Sequence, residues 1–180
     1  MTRPLSRRAL IVGAPSLAAL GACGDPVGTV LPDVEFAALP GLVGRNGWPV
    51  PGIAPDEFRR GVTVLNLWAS WCPYCQEEHD ALMRLSRDIR FRIVGAVYRD
   101  TAAKAVGYLR RAGNPYAAVG RDDGRLARAT RIQGVPASFV INRSGRVLAR
   151  VRGEMNDGNV ASTVLPAVRR ALDSRETPTG

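Results

Sequence analysis

The sequence of 180 residues predicts an α/β domain in which a mixed β-sheet carries helices on both of its faces. Two observations predict this class. Apolar, β-favouring runs alternate with stretches of helical period through the middle of the chain, which is typical of parallel strands joined by helices. Two further strand-like runs then flank a turn at 142–145, and one more helical stretch follows them. This order predicts an antiparallel hairpin added to the parallel strands.

The first half of the predicted domain contains the central strand and helix. We expect three weakly determined pieces before them: a short strand at 34–39, a Gly- and Pro-rich connection or irregular hairpin at 40–55, and one helical turn at 56–60. The apolar run 62–68 follows Gly61 and predicts a buried strand. Apolar residues near a helical period predict a helix over 76–87, with Ile89 at its edge. The run 91–98 predicts a second strand, parallel to the first because a helix separates them.

The second half of the domain predicts a helix, a short strand and helix, the hairpin and a last helix. Thr101 is a suitable cap for a helix that continues to about Ala112, where Gly113-Asn114-Pro115 stops it. The later elements are a strand at 116–119, a turn at 121–124, a short helix at 126–130, hairpin strands at 137–141 and 146–151, and a helix from Asn156 or Asp157 to Leu172. Pro166 predicts a kink or a break in that last helix.

The N-terminal segment, residues 1–22, predicts a signal peptide. Arg3, Arg7 and Arg8 form a basic beginning, and 9–22 is a small, apolar stretch of 14 residues. A membrane-spanning helix needs about 20 apolar residues, so this stretch favours a cleaved signal over a permanent anchor. Ser6-Arg7-Arg8 resembles the start of a twin-arginine signal, and the choice between general and twin-arginine export remains open.

Cys23 follows Leu20-Gly21-Ala22, a sequence that resembles the lipobox of bacterial lipoproteins. In that class of signals the cysteine receives the lipid and becomes the first residue of the mature protein. The alternative is ordinary cleavage among the small residues, which would leave Cys23 as a loose thiol. We expect a lipidated Cys23, a flexible tether over 23–33 and a folded domain over 34–175, on the extracytoplasmic, periplasmic side and attached to the inner membrane.

The chain is basic, with a formal net charge of +9 that falls to about +6 without Arg3, Arg7 and Arg8. The positive residues are scattered, and no basic motif interleaved with aromatic residues occurs. We therefore expect no nucleic-acid partner. A basic surface also suits an acidic partner or an anionic membrane, although mere solubility is a sufficient reason for it.

Cys72 and Cys75 stand where the central strand ends and a helix begins. The unpaired N–H groups and partial positive charge of a helix N-terminus stabilise a thiolate and lower the pKa of a cysteine there. Cys72 is thus the expected nucleophile and Cys75 the resolving thiol. Their spacing brings the Cα atoms to within about 5 to 6 Å, which suits a disulfide. Pro73 fits the first helical turn, where a missing N–H has no cost.

The chain resembles the thioredoxin superfamily and, more narrowly, the periplasmic CcmG/DsbE (TlpA-like) thioredoxins of cytochrome c maturation. The residues that carry the resemblance are Leu65-Asn66-Leu67-Trp68-Ala69-Ser70-Trp71-Cys72-Pro73-Tyr74-Cys75, Glu78-His79, Gly113-Asn114-Pro115-Tyr116-Ala117 and Gly134-Val135-Pro136. They extend over about 62–151. The resemblance implies a thioredoxin-like fold and a thiol-disulfide oxidoreductase with no cofactor beyond the redox-active Cys72–Cys75 disulfide.

The resemblance also implies roles for polar residues near the cysteines. Asn66 stands where cytosolic thioredoxins have a buried Asp that helps deprotonate the second cysteine, and an amide does not accept a proton at neutral pH. The family carries an acidic residue at the position of Glu78, which is therefore the candidate proton acceptor. The alternative for Glu78 is an ordinary solvated helix residue.

The expected substrate surface surrounds Cys72. By resemblance, Pro136 is preceded by a cis peptide bond and lies opposite Cys72, which leaves the Val135 backbone free to pair with an extended substrate. We expect Trp71, Pro73 and Tyr74 to form the rest of this surface. The family commonly has an acidic residue after this proline, whereas the present chain has Ala137-Ser138. Pro73-Tyr74 also occurs in glutaredoxins, which lack the two tryptophans of this motif.

The function implied is a membrane-tethered reductant of protein disulfides. The implied substrate is apocytochrome c or a dithiol chaperone that supplies it, and a membrane thiol-reductant transporter restores the dithiol. One alternative is a disulfide-donating oxidase, because spacing alone does not fix the reduction potential. Another is a copper-, zinc- or haem-binding assembly factor, which two thiolates and a single histidine, His79, support poorly. We expect no metal site and a structural role for His79.

Overall fold

The computed structural model describes residues 25–174, so the predicted signal peptide and Cys23 lie outside the described residues. The strands are β1 (Thr63–Trp68), β2 (Arg92–Tyr98), β3 (Ala118–Asp122), β4 (Ala137–Ile141) and β5 (Val147–Arg152). The helices are α1 (Pro73–Glu77), α2 (His79–Leu85), α3 (Ala102–Ala112), α4 (Arg125–Ala129), α5 (Asp157–Asn159) and α6 (Leu165–Asp173). A 3₁₀ turn at Glu57–Arg59 precedes β1, and a π-helical segment at Val160–Val164 connects α5 to α6.

The five strands form one mixed sheet in the order β3-β2-β1-β4-β5. β1 and β3 both run parallel to β2, whereas β4 runs antiparallel to both β1 and β5. The central position of β1 explains its sequence, because all six of its residues are buried. The mixed sheet and the terminal hairpin confirm the predicted fold class.

Both faces of the sheet are covered. Val64 and Trp68 of β1 point to the face where α2, α3 and α6 pack, while Leu65 and Leu67 point to the opposite face. The second face is closed by α4, the 3₁₀ turn, residues 31–36 and Ile53, whereas Leu39, Leu42 and Val50 pack on the first face. Since side chains alternate along a strand, Asn66 lies on the same face as Val64 and Trp68. That face also carries the helical segment after the cysteines.

The segment before β1 differs from the prediction in two ways. No strand forms at 34–39, where only single bridges join Phe36 to Ile53 and Ala38 to Gly120. The predicted tether is also partly attached to the domain. Val147 N–H donates to the Thr29 carbonyl at 2.9 Å, and Leu31 N–H donates to the Gly145 carbonyl at 2.9 Å. These backbone bonds and the burial of the Leu31 side chain place 28–31 in the folded domain.

Local chemistry explains several element boundaries. Thr101 Oγ1 accepts the Lys104 N–H at 3.3 Å and caps α3, as predicted, and Gly113 ends α3 at a φ of 95°. β3 begins two residues after the predicted start because the Asn114 side chain bonds both the N–H and the carbonyl of Tyr116 at 3.0 Å. Those bonds occupy Tyr116 backbone groups that a ladder would need.

The predicted helix over 76–87 is two helices, α1 and α2, separated at Glu78. Glu78 has a ψ of −13°, well away from the usual α-helical value of about −42°. Ile89 lies beyond α2 and is 98% exposed, so it is not part of a buried helical face. The break predicted near Pro166 occurs as the π-helical segment just before α6. Within 25–174, no helix combines the length and apolarity needed to span a bilayer.

Candidate active site

The cysteines lie at the carboxyl end of β1, where the chain turns into α1. Cys72 is the N-cap residue of α1, and its Sγ accepts the Cys75 N–H at 3.2 Å. Pro73 occupies the first turn, where its missing N–H leaves no bond unmade. The sulfur therefore takes the position that an N-cap oxygen usually takes, and a negative charge on it would be stabilised there.

Cys72 and Cys75 form a disulfide with a Cα–Cα distance of 5.2 Å. The separation lies in the range that the sequence spacing predicts for one helical turn. Both residues are buried, with exposed fractions of 3% and 4%. The structure thus brings the two predicted sulfurs together at the helix N-terminus.

The loop before β4 faces Cys72 from the neighbouring strand. The Val135–Pro136 peptide bond is cis, as the resemblance implies, and the Val135 carbonyl oxygen lies 3.5 Å from Cys72 Sγ. Pro136 is buried and Val135 is half-buried. The backbone at Val135 therefore lies beside the reactive sulfur, at the place where an extended substrate would run.

Exposed aromatic residues surround the buried sulfurs. Trp71 is 54% exposed and Tyr74 is 59% exposed, although the Trp71 indole N–H donates to the Arg99 carbonyl at 3.2 Å. Asp100 holds the backbone next to Trp71 in place, because its carboxylate accepts the N–H of Ser70 at 2.8 Å. These two rings form an exposed apolar surface on either side of Cys72 in the sequence.

Glu78 is the residue between α1 and α2, and it is fully buried. Its Oε1 accepts the Asn66 side-chain N–H at 2.8 Å, and its Oε2 accepts the Met155 backbone N–H at 2.9 Å. The solvated alternative for Glu78 is therefore wrong. Burial raises its pKa to about 7, against a smaller lowering by the Asn66 and Met155 hydrogen bonds. The carboxyl group thus exchanges its proton near neutral pH.

Asn66 connects Glu78 to two further buried side chains, Tyr116 and Ser138, for which the sequence predicted no role. Its amide N–H also donates to Ser138 Oγ at 3.0 Å, and its Oδ1 accepts the Tyr116 hydroxyl at 2.8 Å. Gly95 leaves room for the Tyr116 ring, because a Cβ there would lie 2.8 Å from it. Knowledge of the strand pairing would have predicted the contact with Ser138, because Asn66 and Ser138 are direct partners across β1 and β4.

The two residues of the Ala137-Ser138 departure lie on opposite faces of β4. Ser138 Oγ accepts a hydrogen bond from Asn66, whereas Ala137, the residue directly after Pro136, belongs to the core cluster of Leu67 on the other face. Glu78 supplies the carboxyl group of this network. Burial raises the Tyr116 pKa well above its usual range, with the Glu78 charge as a second cause. The Tyr116 hydroxyl is therefore neutral and donates a hydrogen bond to Asn66 Oδ1. Glu78 is the group in this network that titrates near neutral pH.

His79 is a packing residue. Its Nε2 lies 3.1 Å from the Ala112 carbonyl oxygen, and its ring meets Tyr108 edge-on at 5.2 Å. Burial lowers the His79 pKa, so the ring is neutral and donates its Nε2 proton to that carbonyl. Among residues 25–174, no three His, Cys, Asp or Glu side chains are grouped so as to hold a metal ion.

Comparison with known proteins agrees with this geometry. The family model described as Redoxin matches residues 53–165. The thiol:disulfide interchange protein DsbE homolog of Paracoccus denitrificans (strain Pd 1222) is 35% identical over 149 residues, which cover 81% of this chain and 77% of that protein. The thiol:disulfide interchange protein CycY of Rhizobium leguminosarum bv. viciae is 32% identical over 124 residues, covering 68% of this chain and 67% of that protein.

Solved structures agree on the fold. A thiol:disulfide interchange protein of the thioredoxin family from Chlorobium tepidum TLS superposes with a TM-score of 0.59 at 22% identity. The superposition covers 81% of this chain and 97% of that chain. At this identity the likeness shows the fold alone.

Proposed function

Because this chain belongs to the Redoxin family, as a CcmG/DsbE-like thiol-disulfide oxidoreductase of the thioredoxin superfamily, we propose that it is a membrane-tethered reductant of protein disulfides in cytochrome c maturation. The observation that carries the proposal is the Cys72–Cys75 pair at the N-terminus of α1, with Cys72 Sγ beside the Val135 carbonyl. The reducing direction rests on the resemblance to CcmG/DsbE proteins.

The proposed reaction transfers two electrons from the dithiol to a client disulfide. The Cys72 thiolate attacks one client sulfur, so a Cys72–client disulfide forms and the other client sulfur leaves as a thiolate that takes up a proton. Cys75 then loses its proton and attacks Cys72 Sγ. The Cys72–Cys75 disulfide forms, and the second client sulfur leaves and is protonated.

Glu78 is our candidate for the proton acceptor in the second step. It lies one turn after Cys75, it is fully buried, and burial raises its pKa to about 7. A group of that pKa exchanges a proton readily at neutral pH, whereas the neighbouring Asn66 has no proton-accepting form there. Asn66 positions the carboxyl group through the 2.8 Å hydrogen bond to Oε1.

The proposed clients are apocytochrome c or a dithiol chaperone that supplies it, and a membrane thiol-reductant transporter is the proposed electron source. A lipid on Cys23 would hold the domain at the periplasmic face of the inner membrane. The lipobox-like Leu20-Gly21-Ala22-Cys23 supports this attachment. Labelling with a palmitate analogue tests it, and label that persists in Cys23→Ala would reject it.

Trapping with Cys75→Ser in the exporting cell tests the client. Without the resolving thiol, the mixed disulfide through Cys72 accumulates, and mass spectrometry identifies the protein attached to it. The matched control is Cys72→Ser with Cys75→Ser, which should trap nothing. If Cys75→Ser captures no disulfide-linked partner and cells without this protein make normal c-type cytochromes, the maturation role is rejected.

The direction of electron flow needs a separate measurement. Acid quenching of cells followed by alkylation reports the redox state of the pair at steady state. A reductant that a transporter keeps supplied should be mostly in the dithiol form. A pair found mostly as the disulfide would instead indicate a disulfide donor and reject the reducing direction.

A further inference from the structure

A wide groove of about 1140 Å³ lies next to the active site, across the loop of Val135 and Pro136 from the cysteines, and that loop forms part of its lining. Val135 and Pro136 line its inner end, and Val135 is the residue whose carbonyl lies 3.5 Å from Cys72 Sγ. Its walls are the ends of β2 and β3, the helix α4 and the end of β5. A client chain that places a cysteine against Cys72 therefore has neighbouring residues in this groove.

The groove is strongly basic. Five arginines line it, against two aspartates. The arginines are Arg99, Arg128, Arg131, Arg150 and Arg152. No Lys or Glu contributes to the lining. The groove therefore concentrates a positive charge that is scattered elsewhere in the sequence.

The two aspartates are engaged by neighbouring groups. The Asp122 carboxylate accepts the N–H groups of Leu126 and Ala127 at 3.0 Å each, at the beginning of α4. Asp123 forms an ion pair with Arg125 at 2.9 Å. Two carboxylates are fewer than the five arginines of the lining, so they neutralise the groove only in part.

Arg150 shows that the positive charge is incompletely balanced. Its guanidinium lies over the Phe139 ring at 5.5 Å, and its buried Nε has no hydrogen-bond partner within the described part of the chain. Burial and the charge of Arg152 lower the Arg150 pKa. Arg152 itself is near Asp25, at 3.6 Å. A carboxylate in the groove would supply a counter-charge to the Arg150 guanidinium.

We propose that this basic groove binds an acidic segment of the client protein, adjacent in sequence to the cysteine that Cys72 attacks. The proposal rests on the proposed disulfide-exchange function and adds the charge of the substrate to it. Selection by charge would work here through faster encounter and through carboxylate–guanidinium hydrogen bonds.

The strand pairing sets the distance between the acidic residues and the target cysteine. Arg152 is the β5 partner of Ala137, the residue after Pro136, and Arg150 is the partner of Phe139. An extended chain advances about 3.3 Å per residue. Acidic residues within about four positions of the client cysteine would therefore reach these arginines.

The test compares two synthetic peptides, each with one disulfide, that differ only in Glu or Gln at the positions flanking the cysteines. The reduced protein is mixed with each peptide, and the second-order rate constant of reduction is measured by stopped flow. At about 10 mM salt we expect the Glu peptide to react about tenfold faster. At about 1 M salt the Debye length falls to about 3 Å, and the ratio should approach one.

The variant Arg128→Gln with Arg150→Gln should lower the Glu-to-Gln rate ratio at least threefold, and Arg128→Lys with Arg150→Lys should retain most of it. The ratio is taken within each variant, so a general change in Cys72 reactivity cancels. The control is Arg87→Gln with Arg111→Gln, which removes the same charge from two exposed positions outside the groove lining, one just after α2 and one in the last turn of α3. The control should leave the ratio unchanged.

The possible outcomes distinguish the groove proposal from the proposed disulfide-exchange function. Equal rates for both peptides, a faster Gln peptide, or an equal loss of ratio in the groove and control variants would each overturn the groove proposal while leaving disulfide exchange intact. A wild-type protein that reduces neither peptide would overturn the proposed function and this inference with it.

Discussion

At the residue scale, two acidic groups of the site, Cys72 and Glu78, lie in opposite surroundings. Cys72 caps a helix, where an N–H points at its sulfur and a negative charge is stabilised. Glu78 lies in a buried pocket that disfavours its charge and raises its pKa to about 7. The surroundings of Cys72 therefore favour its thiolate, whereas Glu78 can hold or accept a proton at neutral pH.

Glu78→Gln should change how stability depends on pH. The folded protein keeps the Glu78 proton up to about pH 7, whereas the unfolded chain releases it near 4.5. The folded state therefore binds more protons in this window, and the free energy of unfolding falls as pH rises, by about 3 kcal/mol in total. Urea unfolding between pH 4 and 8 should show that the variant lacks this decline.

The matched control for that measurement is Glu77→Gln, which removes an exposed carboxylate from the neighbouring position. It should retain the pH dependence of the wild type. If wild type and Glu78→Gln have parallel pH profiles, burial does not raise the pKa of this carboxyl group.

The sequence located most of this site, but the partners of Asn66 could not be predicted from it. The cysteines, Glu78 and Val135-Pro136 belong to short motifs whose chemistry is local. Tyr116 and Ser138 reach Asn66 across 50 and 72 residues of chain, so their role depends on strand register. Predicting Ser138 requires the β1–β4 alignment, and predicting Tyr116 requires the β1–β2 alignment that places Gly95 beside Asn66. Residue spacing alone supplies neither alignment.

At the element scale, three connections place the site: the turn from β1 into α1, the turn from β2 into α3, and the loop before β4. β1 and β2 are parallel, so the first two turns lie at the same edge of the sheet. Asp100 joins them, because its two carboxylate oxygens accept the N–H groups of Ser70 and Thr101. The antiparallel β4 brings Val135 to that same edge.

Thr101→Ala should destabilise α3. It removes the side-chain acceptor for the Lys104 N–H, which is one of the first N–H groups of the helix and has no helical partner. We expect the free energy of unfolding to fall by about 1 kcal/mol in chemical denaturation. Thr101→Ser preserves the hydroxyl and should restore most of the loss, whereas equal losses in both variants would show that the cap is unimportant.

Elements were predictable where local sequence decides them and less so where tertiary contacts do. The strands β1, β2, β4 and β5, the Thr101 cap and the Asn142–Gly145 turn carry their own signals, and each occurs within one residue of the prediction. The interruption at Glu78 accompanies an inward carboxylate whose partners, Asn66 and Met155, are distant in sequence. Likewise, residues 34–39 lie against the core without a continuous strand partner.

At the scale of the whole molecule, the folded domain begins earlier than the composition of the N-terminal segment suggests. Gly and Pro predicted a free tether, yet Gly28 N–H donates to the Val147 carbonyl at 2.8 Å, and Leu31 is 2% exposed. Only four residues, five residue-to-residue steps, then separate Cys23 from Gly28. An extended segment of that length spans at most about 18 Å, so a lipid on Cys23 would hold the domain close to the membrane.

Leu31→Ala tests whether this segment is part of the domain. Removing a buried Leu side chain should lower the free energy of unfolding by about 2–5 kcal/mol. Val30→Ala alters a neighbouring side chain that is 46% exposed and should have less than about 1 kcal/mol of effect. Chemical denaturation measures both, and a free tether would leave Leu31→Ala as stable as the wild type.

The measurement that bears most directly on the whole account is the reactivity of the two thiols in the reduced protein. A small amount of iodoacetamide, added at pH values from 5 to 9 and followed by peptide mass spectrometry, reports which sulfur is ionised. We predict that the label enters Cys72 before Cys75, with a midpoint below the value of about 8.5 for a free thiol. Preferential labelling of Cys75, or a midpoint for Cys72 at or above that of free cysteine, would contradict the assignment of Cys72 as the nucleophile.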